Sequence, residues 1–115
     1  MEAKAIYFVF SNPVEGREDE FNEWYDQVHV PDLLSIPGVV SAQRFNLLDA
    51  ESVREGGWTP EHRYLTIYEI DGDPDEIMTR VREAFEAGKM EMSDALDVMG
   101  ARMSFWSPVG PKVEG

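Results

Sequence analysis

The chain has 115 residues and a mass of 13.1 kDa, which predicts one domain spanning residues 1–115. Its 23 acidic and 10 basic residues give a net charge of −13, and this charge disfavours binding to nucleic acids and to anionic lipid surfaces. No cysteine is present, so disulfides, thiolate catalysis and Cys-ligated metal centres are excluded.

No segment approaches the roughly 20 apolar residues of a membrane-spanning helix. The apolar run that follows Met1–Lys4 is too short and too weakly basic for a secretory signal. We therefore expect a cytoplasmic protein without a membrane partner.

The first predicted strand is Ala5–Phe10, which is apolar on both faces and is therefore expected in the centre of a sheet. A helix is predicted from Glu18 to about Val30, where Pro31 ends or kinks it. Its apolar stripe has the spacing i, i+3, i+4, i+7 and i+8 and consists of Phe21, Trp24, Tyr25, Val28 and His29.

Alternation predicts a second strand over Val39–Leu48. It places Val40, Ala42 and Arg44 on one face and Val39 on the other. The following segment, Asp49–Arg63, contains Gly and Pro and is predicted to be a long loop.

The third predicted strand, Tyr64–Ile70, is rich in β-forming residues. A second helix should begin at Asp73, which can cap it with Glu76 three residues later, and should stop at Gly88. The Met-rich segment Lys89–Met99 is expected to contain a short helical turn. A fourth strand is predicted over residues 101–106.

The order β-α-β-β-α-β predicts an α+β, ferredoxin-like fold in which a four-stranded antiparallel sheet carries both helices on one face. The strands would leave an apolar sheet face in contact with water, at a cost of ~25 cal/mol per Å². We therefore expect a homodimer in which two sheets pack face to face.

The segment Glu20–Leu34 contains the run WYDQVHVPDLL, which is followed by Pro37-Gly38-Val39 and by Arg44. Together with the strand YLTIYEI, this pattern resembles the EthD-like family of dimeric α/β-barrel proteins over about residues 5–106. The resemblance implies a ferredoxin-like protomer, a homodimer and a cavity between each sheet and its own helices. Relatives of this barrel class include cyclases, isomerases, small monooxygenases and haem-binding enzymes, so the fold does not select one chemistry.

His29 is the sharpest catalytic candidate, because a histidine on the apolar stripe beside a broken helix can exchange protons near pH 7. Tyr25 lies one turn earlier and could share a proton with it or bind an oxyanion. Asp26 and Asp32 are each three residues from His29, and either could raise the imidazole pKa. The alternatives are a His29 that caps its own helix and a Tyr25 that only fills the core.

Seven further residues are predicted to bind substrate: Tyr7, Trp24, Arg44, Trp58, Tyr64, Tyr68 and Trp106. Their rings would line a pocket for a flat apolar ligand, with Trp58 as a lid in the long loop. Each has a structural alternative, which for Arg44 is an ion pair with an acidic residue and for the aromatic residues is the core or the dimer interface.

The sequence lacks the glycine-rich and nucleophile-elbow motifs of nucleotide cofactors and serine hydrolases, and the spacing of His29 and His62 matches no metal motif. We therefore expect no cofactor and no metal.

The resulting hypothesis is a cofactor-free isomerase, cyclase or lyase of an apolar aromatic or polyketide-like carbonyl compound, with His29 as the general acid/base. The alternatives are a cofactor-less monooxygenase of a phenol and a non-catalytic ligand-binding accessory protein of a degradative pathway.

Overall fold

A computed structural model describes residues 5–57 and 59–115 and contains a four-stranded sheet. The strands are β1 (Ala5–Ser11), β2 (Val39–Asn46), β3 (Tyr64–Ile70) and β4 (Arg102–Trp106). Their spatial order is β2-β3-β1-β4, and all three pairings are antiparallel. The apolar strand β1 is central, as its sequence predicts, and the α+β ferredoxin-like arrangement is confirmed.

The first helical segment consists of three parts in continuous succession: α1 (Glu18–Trp24), a π-helical turn (Tyr25–His29) and α2 (Val30–Leu34). Within the π turn, the Val30 N–H donates to the Tyr25 carbonyl oxygen. Pro31 follows directly; it has no N–H, and its ring would crowd the carbonyl one turn earlier. The prediction of a regular α-helix was therefore wrong between Tyr25 and His29, where the backbone widens.

The second long helix, α4 (Pro74–Glu86), begins as predicted, with the Asp73 side chain accepting the Glu76 N–H at 3.3 Å. A short helix, α3 (Glu51–Glu55), occupies part of the segment that was predicted to be only a loop. The segment 89–99 contains turns but no helix; instead it is held by an isolated bridge between Pro13 and Leu96.

The helices cover one face of the sheet. The core on that face joins strand residues such as Tyr7, Tyr68 and Ile70 to Leu33 of α2 and Ile77 of α4. A second buried cluster contains Phe21, Trp24 and Tyr25 together with Ala95. Between α2 and β2, Gly38 adopts φ = 100° and lies so close to the Asp71 carbonyl that a Cβ would be only 3.0 Å from its oxygen.

A β-bulge at the start of β2 reverses the predicted faces of two valines. Val39 pairs with Ile70 and is buried against the helices, whereas Val40 is exposed. The extra residue between Val39 and Ser41 shifts the alternation by one position, so Ala42 and Arg44 share the helix-covered face with Val39.

The other sheet face is apolar and open. Its central strand contributes Ile6, Phe8 and Phe10, which lie opposite Glu69, Ile67 and Leu65 of β3. Phe45 and Trp106 add exposed rings at the two sides. Throughout residues 5–57 and 59–115, no helix combines the length and apolar character needed to cross a bilayer.

Candidate active site

A cavity of about 320 Å³ lies between the sheet and its helices. Its walls come from β1, the π turn, α2, β3, α4, β4 and the irregular segment that leads into β4. Most lining side chains are apolar, and the polar exceptions include Ser11, Tyr25, His29 and Tyr68. An apolar cavity with a few convergent polar groups is the usual form of a small-molecule site.

A second cleft of about 450 Å³ opens beside α3. Its charged groups are largely paired within the protein: Arg54 bonds Asp49 at 2.7 Å, and Arg63 bonds Glu18 at 3.2 Å. We therefore place the candidate site in the cavity beneath the helices, where buried polar atoms lack such partners.

The π turn presents Tyr25 and His29 to this cavity. The His29 imidazole stacks on the Trp24 ring, with centroids 4.6 Å apart, and meets the Tyr25 ring edge-on at 5.0 Å. Its Nδ1 is buried and has no hydrogen-bond partner in the described part of the chain. Two aromatic rings thus hold the imidazole while one ring nitrogen remains available.

Burial lowers the pKa of His29 to about 4, and the nearby Asp32 carboxylate opposes this effect only in part. Asp32 raises this pKa, as the sequence suggested, but the net shift is downward because desolvation of the imidazolium outweighs the attraction. Asp26 instead forms an ion pair with Arg44 at 2.8 Å. His29 is therefore neutral at pH 7 and can accept a proton or a hydrogen bond.

Folding stability should depend on pH through His29. Between pH 6.5 and pH 4, the unfolded chain binds a proton at this residue and the folded chain does not, so acidification favours unfolding. Relative to His29→Gln, the wild type should lose about 3 kcal/mol of unfolding free energy across this window. Urea denaturation at several pH values tests this, and parallel pH profiles for the two proteins would contradict it.

Tyr7 and Tyr68 also line the cavity, and their rings stack with centroids 5.7 Å apart. Burial raises the pKa of Tyr7 to about 12, and it also raises the pKa of Tyr68 and of Tyr25. All three phenols therefore keep their protons at neutral pH and can act as hydrogen-bond donors.

Two predicted ligand-binding residues lie away from the cavity wall. The Trp24 indole N–H donates to the Glu91 carbonyl at 2.8 Å, so this ring supports His29 from behind. Trp106 lies on the open face of the sheet against Phe8 and is 60% exposed. Side chains alternate along β4, and Met103 and Phe105 occupy the helix-covered face. Trp106 therefore points to the open face.

Arg44 and Tyr64 lie beside the cavity without lining it. The Arg44 guanidinium bonds Asp26 and Asn22 and lies 4.5 Å from the Tyr25 ring centroid. The Tyr64 hydroxyl donates to the Glu18 carboxylate. These contacts agree with the structural alternative for Arg44. Trp58, the predicted lid, lies outside the described residues.

Sequence reasoning missed several lining residues. Ser11 ends β1 and alternates in phase with Tyr7, but the predicted strand stops at Phe10, one residue before it. Four methionines also line the cavity: Met78, Met90, Met92 and Met103. Met78 lies on α4 and Met103 on β4, whereas Met90 and Met92 lie in the irregular segment between them.

Within the described ranges, no group of three or more His, Cys, Asp and Glu side chains is arranged to hold a metal ion. His62 lies far along the chain from His29 and bonds the Gly100 carbonyl at 2.7 Å through Nε2.

Three solved structures share this fold over almost the whole chain. MhuD, a heme-degrader from Mycobacterium tuberculosis with two hemes bound in its active site, is 13% identical, with a TM-score of 0.63 over 95% of this chain and 99% of its own. An ethyl tert-butyl ether D (EthD) family protein from Bacillus halodurans is 12% identical, with a TM-score of 0.53 over 91% of this chain and 99% of its own. A monooxygenase from Streptomyces coelicolor in complex with nanaomycin D is 15% identical, with a TM-score of 0.51 over 98% of this chain and 94% of its own.

Identities this low show the fold alone. They confirm the ferredoxin-like fold and the likeness to an EthD family structure that the sequence suggested. No protein-family model matches the chain, and no curated protein sequence is significantly similar to it.

Proposed function

We propose that this protein is a proton-transfer enzyme that acts on a small, apolar, aromatic or polyketide-like carbonyl compound without a bound cofactor. The observation that carries the proposal is the neutral His29 on the wall of an apolar cavity, with a buried Nδ1 that has no partner among residues 5–57 and 59–115. A neutral imidazole held between two rings has a free lone pair with which to accept a proton from a bound compound.

The mechanism follows from these groups. His29 removes a proton from the carbon next to the substrate carbonyl, and the electron pair moves onto the carbonyl oxygen. A protonated tyrosine, for which Tyr25 is the first candidate, donates a hydrogen bond to the resulting enolate. Return of the proton to another carbon of a conjugated enolate completes an isomerisation. Attack of the enolate carbon on a second carbonyl, whose oxygen then takes the proton back from His29, completes a cyclisation.

The cavity favours a neutral substrate. Arg82 is the one cationic residue among its lining residues, and the chain carries a net charge of −13. Apolar side chains such as Leu33 and Val81 would bury the hydrocarbon body of the ligand, which stabilises binding by ~25 cal/mol per Å².

The experiment measures exchange of carbon-bound protons. A panel of tetralones and aromatic β-diketones is incubated with the protein in D₂O, and loss of the α-proton signals is followed by NMR. Exchange faster than in buffer supports the proposal. Ligands that bind in the cavity but exchange at the buffer rate would contradict it.

A second candidate is cofactor-less oxygenation of a phenol, favoured by the shared fold of the nanaomycin-bound monooxygenase. His29 would take the phenolic proton, and the electron-rich phenolate would reduce O₂. One oxygen atom would enter the product as a quinone carbonyl and the other would leave as water. Oxygen consumption with protein and 1-naphthol alone would select this reaction over isomerisation.

A third candidate is a non-catalytic ligand-binding protein. It predicts tight binding of members of either panel, with neither proton exchange nor oxygen consumption. The placement of His29 on the cavity wall favours catalysis over this alternative.

Haem, which MhuD binds, fits this cavity poorly. The volume of about 320 Å³ is near the lower end of the usual range for ligand pockets. Haem carries two carboxylates, whereas Arg82 is the single cationic side chain among the lining residues and already contacts Glu86 at 4.0 Å. The proposed mechanism therefore uses the chain's own residues.

We also propose a cytoplasmic homodimer, formed through the open apolar sheet face. Phe8 lies on the central strand of this face, opposite Ile67 and Ser104. Phe8→Glu should convert the dimer to a folded monomer, because it places a charge in the interface while sparing the helix-covered core. Sedimentation velocity tests this, with Val109→Glu in the exposed tail as the control. A monomeric wild type, or a dimeric Phe8→Glu, would refute the proposed interface.

A further inference from the structure

Two hydroxyl groups on neighbouring strands are left without partners at the cavity. The Ser11 Oγ and the Tyr68 hydroxyl are buried, and neither has a hydrogen-bond partner within the described part of the chain. Both residues line the cavity, and both are almost fully buried, at 0% and 1% exposure. They come from β1 and β3, which pair directly in the centre of the sheet.

Unpartnered buried hydroxyls are uncommon, because each has lost its bonds to water without replacement. The Tyr25 hydroxyl lies near both groups, close enough for Tyr68 and Ser11, together with Thr66, to oppose the rise in its pKa. Neither contact reaches the geometry of a hydrogen bond. The two hydroxyls therefore converge on one region of the cavity wall while retaining their capacity to donate.

We propose that Ser11 and Tyr68 form the anchor for an oxygen atom of the bound ligand, a carbonyl or a phenolic oxygen carried on an apolar ring system. Two donors from adjacent strands fix one end of the ligand at the sheet. The imidazole of His29, on the helical side, then meets a different part of the same molecule. The ligand orientation is set by the sheet, and the proton acceptor is supplied by the π turn.

This assignment rests on the proposed function only for the identity of the cavity as the ligand site. It does not depend on proton transfer by His29. Ser11 and Tyr68 would contribute to affinity and orientation for a substrate, for a phenol that is oxygenated, or for a ligand that is only carried.

The test compares 1-naphthol with 1-methylnaphthalene, in which a methyl group replaces the hydroxyl. The affinities are measured by titration followed by ligand NMR. The wild type should bind 1-naphthol about 5- to 10-fold more tightly, as expected for one or two hydrogen bonds. The preference should shrink in Ser11→Ala and in Tyr68→Phe, and it should approach unity in the double variant.

Matched controls remove the same atoms elsewhere. Tyr64→Phe deletes a phenolic hydroxyl that bonds Glu18 outside the cavity, and Ser107→Ala deletes an exposed hydroxyl. Both should retain the full preference for 1-naphthol. Thermal melting by circular dichroism establishes that each variant is folded.

Equal binding of the two ligands by the wild type would overturn the proposal, and so would a preference that survives in the double variant. Failure to bind either ligand would overturn this proposal together with the cavity as the ligand site. A clear hydroxyl preference without α-proton exchange would overturn the proposed enzymatic function while leaving the anchor in place.

Discussion

Replacing His29 by alanine is expected to lower the catalysed rate of α-proton exchange by about 10²- to 10⁴-fold, the usual contribution of a positioned general base. The reason is geometric: His29 is the single histidine on the cavity wall, and Trp24 and Tyr25 hold its ring in place. The rate is measured by NMR at saturating ligand, so that a change in affinity is separated from a change in turnover.

His62→Ala is the matched control. It removes the other imidazole of the chain, which bonds the Gly100 carbonyl; neither His62 nor Gly100 lines the cavity. This variant should retain the wild-type rate. A folded His29→Ala protein that exchanges substrate protons at the wild-type rate would eliminate His29 as the base. The rate should also stay nearly constant from pH 7 down to about pH 5, because the pKa of His29 is about 4.

Replacing Phe21 by alanine should lower the free energy of unfolding by about 3–5 kcal/mol, which is typical of a large ring removed from a core. Phe21 is fully buried. Its ring centroid lies 5.4 Å from that of Tyr25 and 5.2 Å from that of Tyr64, and the Arg44 guanidinium lies 5.6 Å from it. Truncation would leave a void beneath the residues that support the π turn.

Chemical denaturation measures this effect, with Phe85→Ala as the control. Phe85 is 55% exposed on α4, so its removal should cost less than about 1 kcal/mol. Comparable losses for the two variants would show that the Phe21 cluster is not a principal source of stability. Because Phe21 packs on Tyr25, its removal should also weaken ligand binding.

The order of strands and helices could be predicted because this chain shows both the alternation of strands and the spacing of about 3.6 residues of helices. The alternating and apolar runs predict all four strands, and the stripe from Phe21 to His29 predicts the first helix. Asp73 and Glu76 mark the start of α4, where a local capping contact determines the boundary. Such local signals depend on neighbouring residues only, so they survive without knowledge of the tertiary structure.

The structure differs from these predictions where one extra residue shifts the alternation or spacing of the side chains. Spacing cannot distinguish a π turn from an α-helix over five residues, and one bulged residue exchanged the faces of Val39 and Val40. The sequence also did not determine which face of β4 packs against the helices. Both faces of β1 are apolar, so the pattern gave no preference between Trp106 and Phe105.

The candidate site was predicted in part. His29, Tyr25, Tyr7 and Tyr68 converge on one cavity, as a helix stripe packed on a sheet allows. Arg44 could not be placed, because its partners Asp26 and Asn22 come from a different element. The methionines of the irregular segment were equally unpredictable, since no period relates a loop to a cavity.

The direction of the His29 side chain depends on the extra residue that the π turn contains. A π turn corresponds to an α-helix that has gained one residue, and each residue of an α-helix advances the chain by about 100° around the axis. Loss of one residue between Tyr25 and His29 would restore a regular helix and leave the later side chains close to their present direction relative to α1, because the wider turn accommodates the extra residue within nearly the same rotation. Tightening the turn to α-helical geometry without a deletion would instead rotate the later side chains by most of about 100° and turn the His29 imidazole away from the cavity.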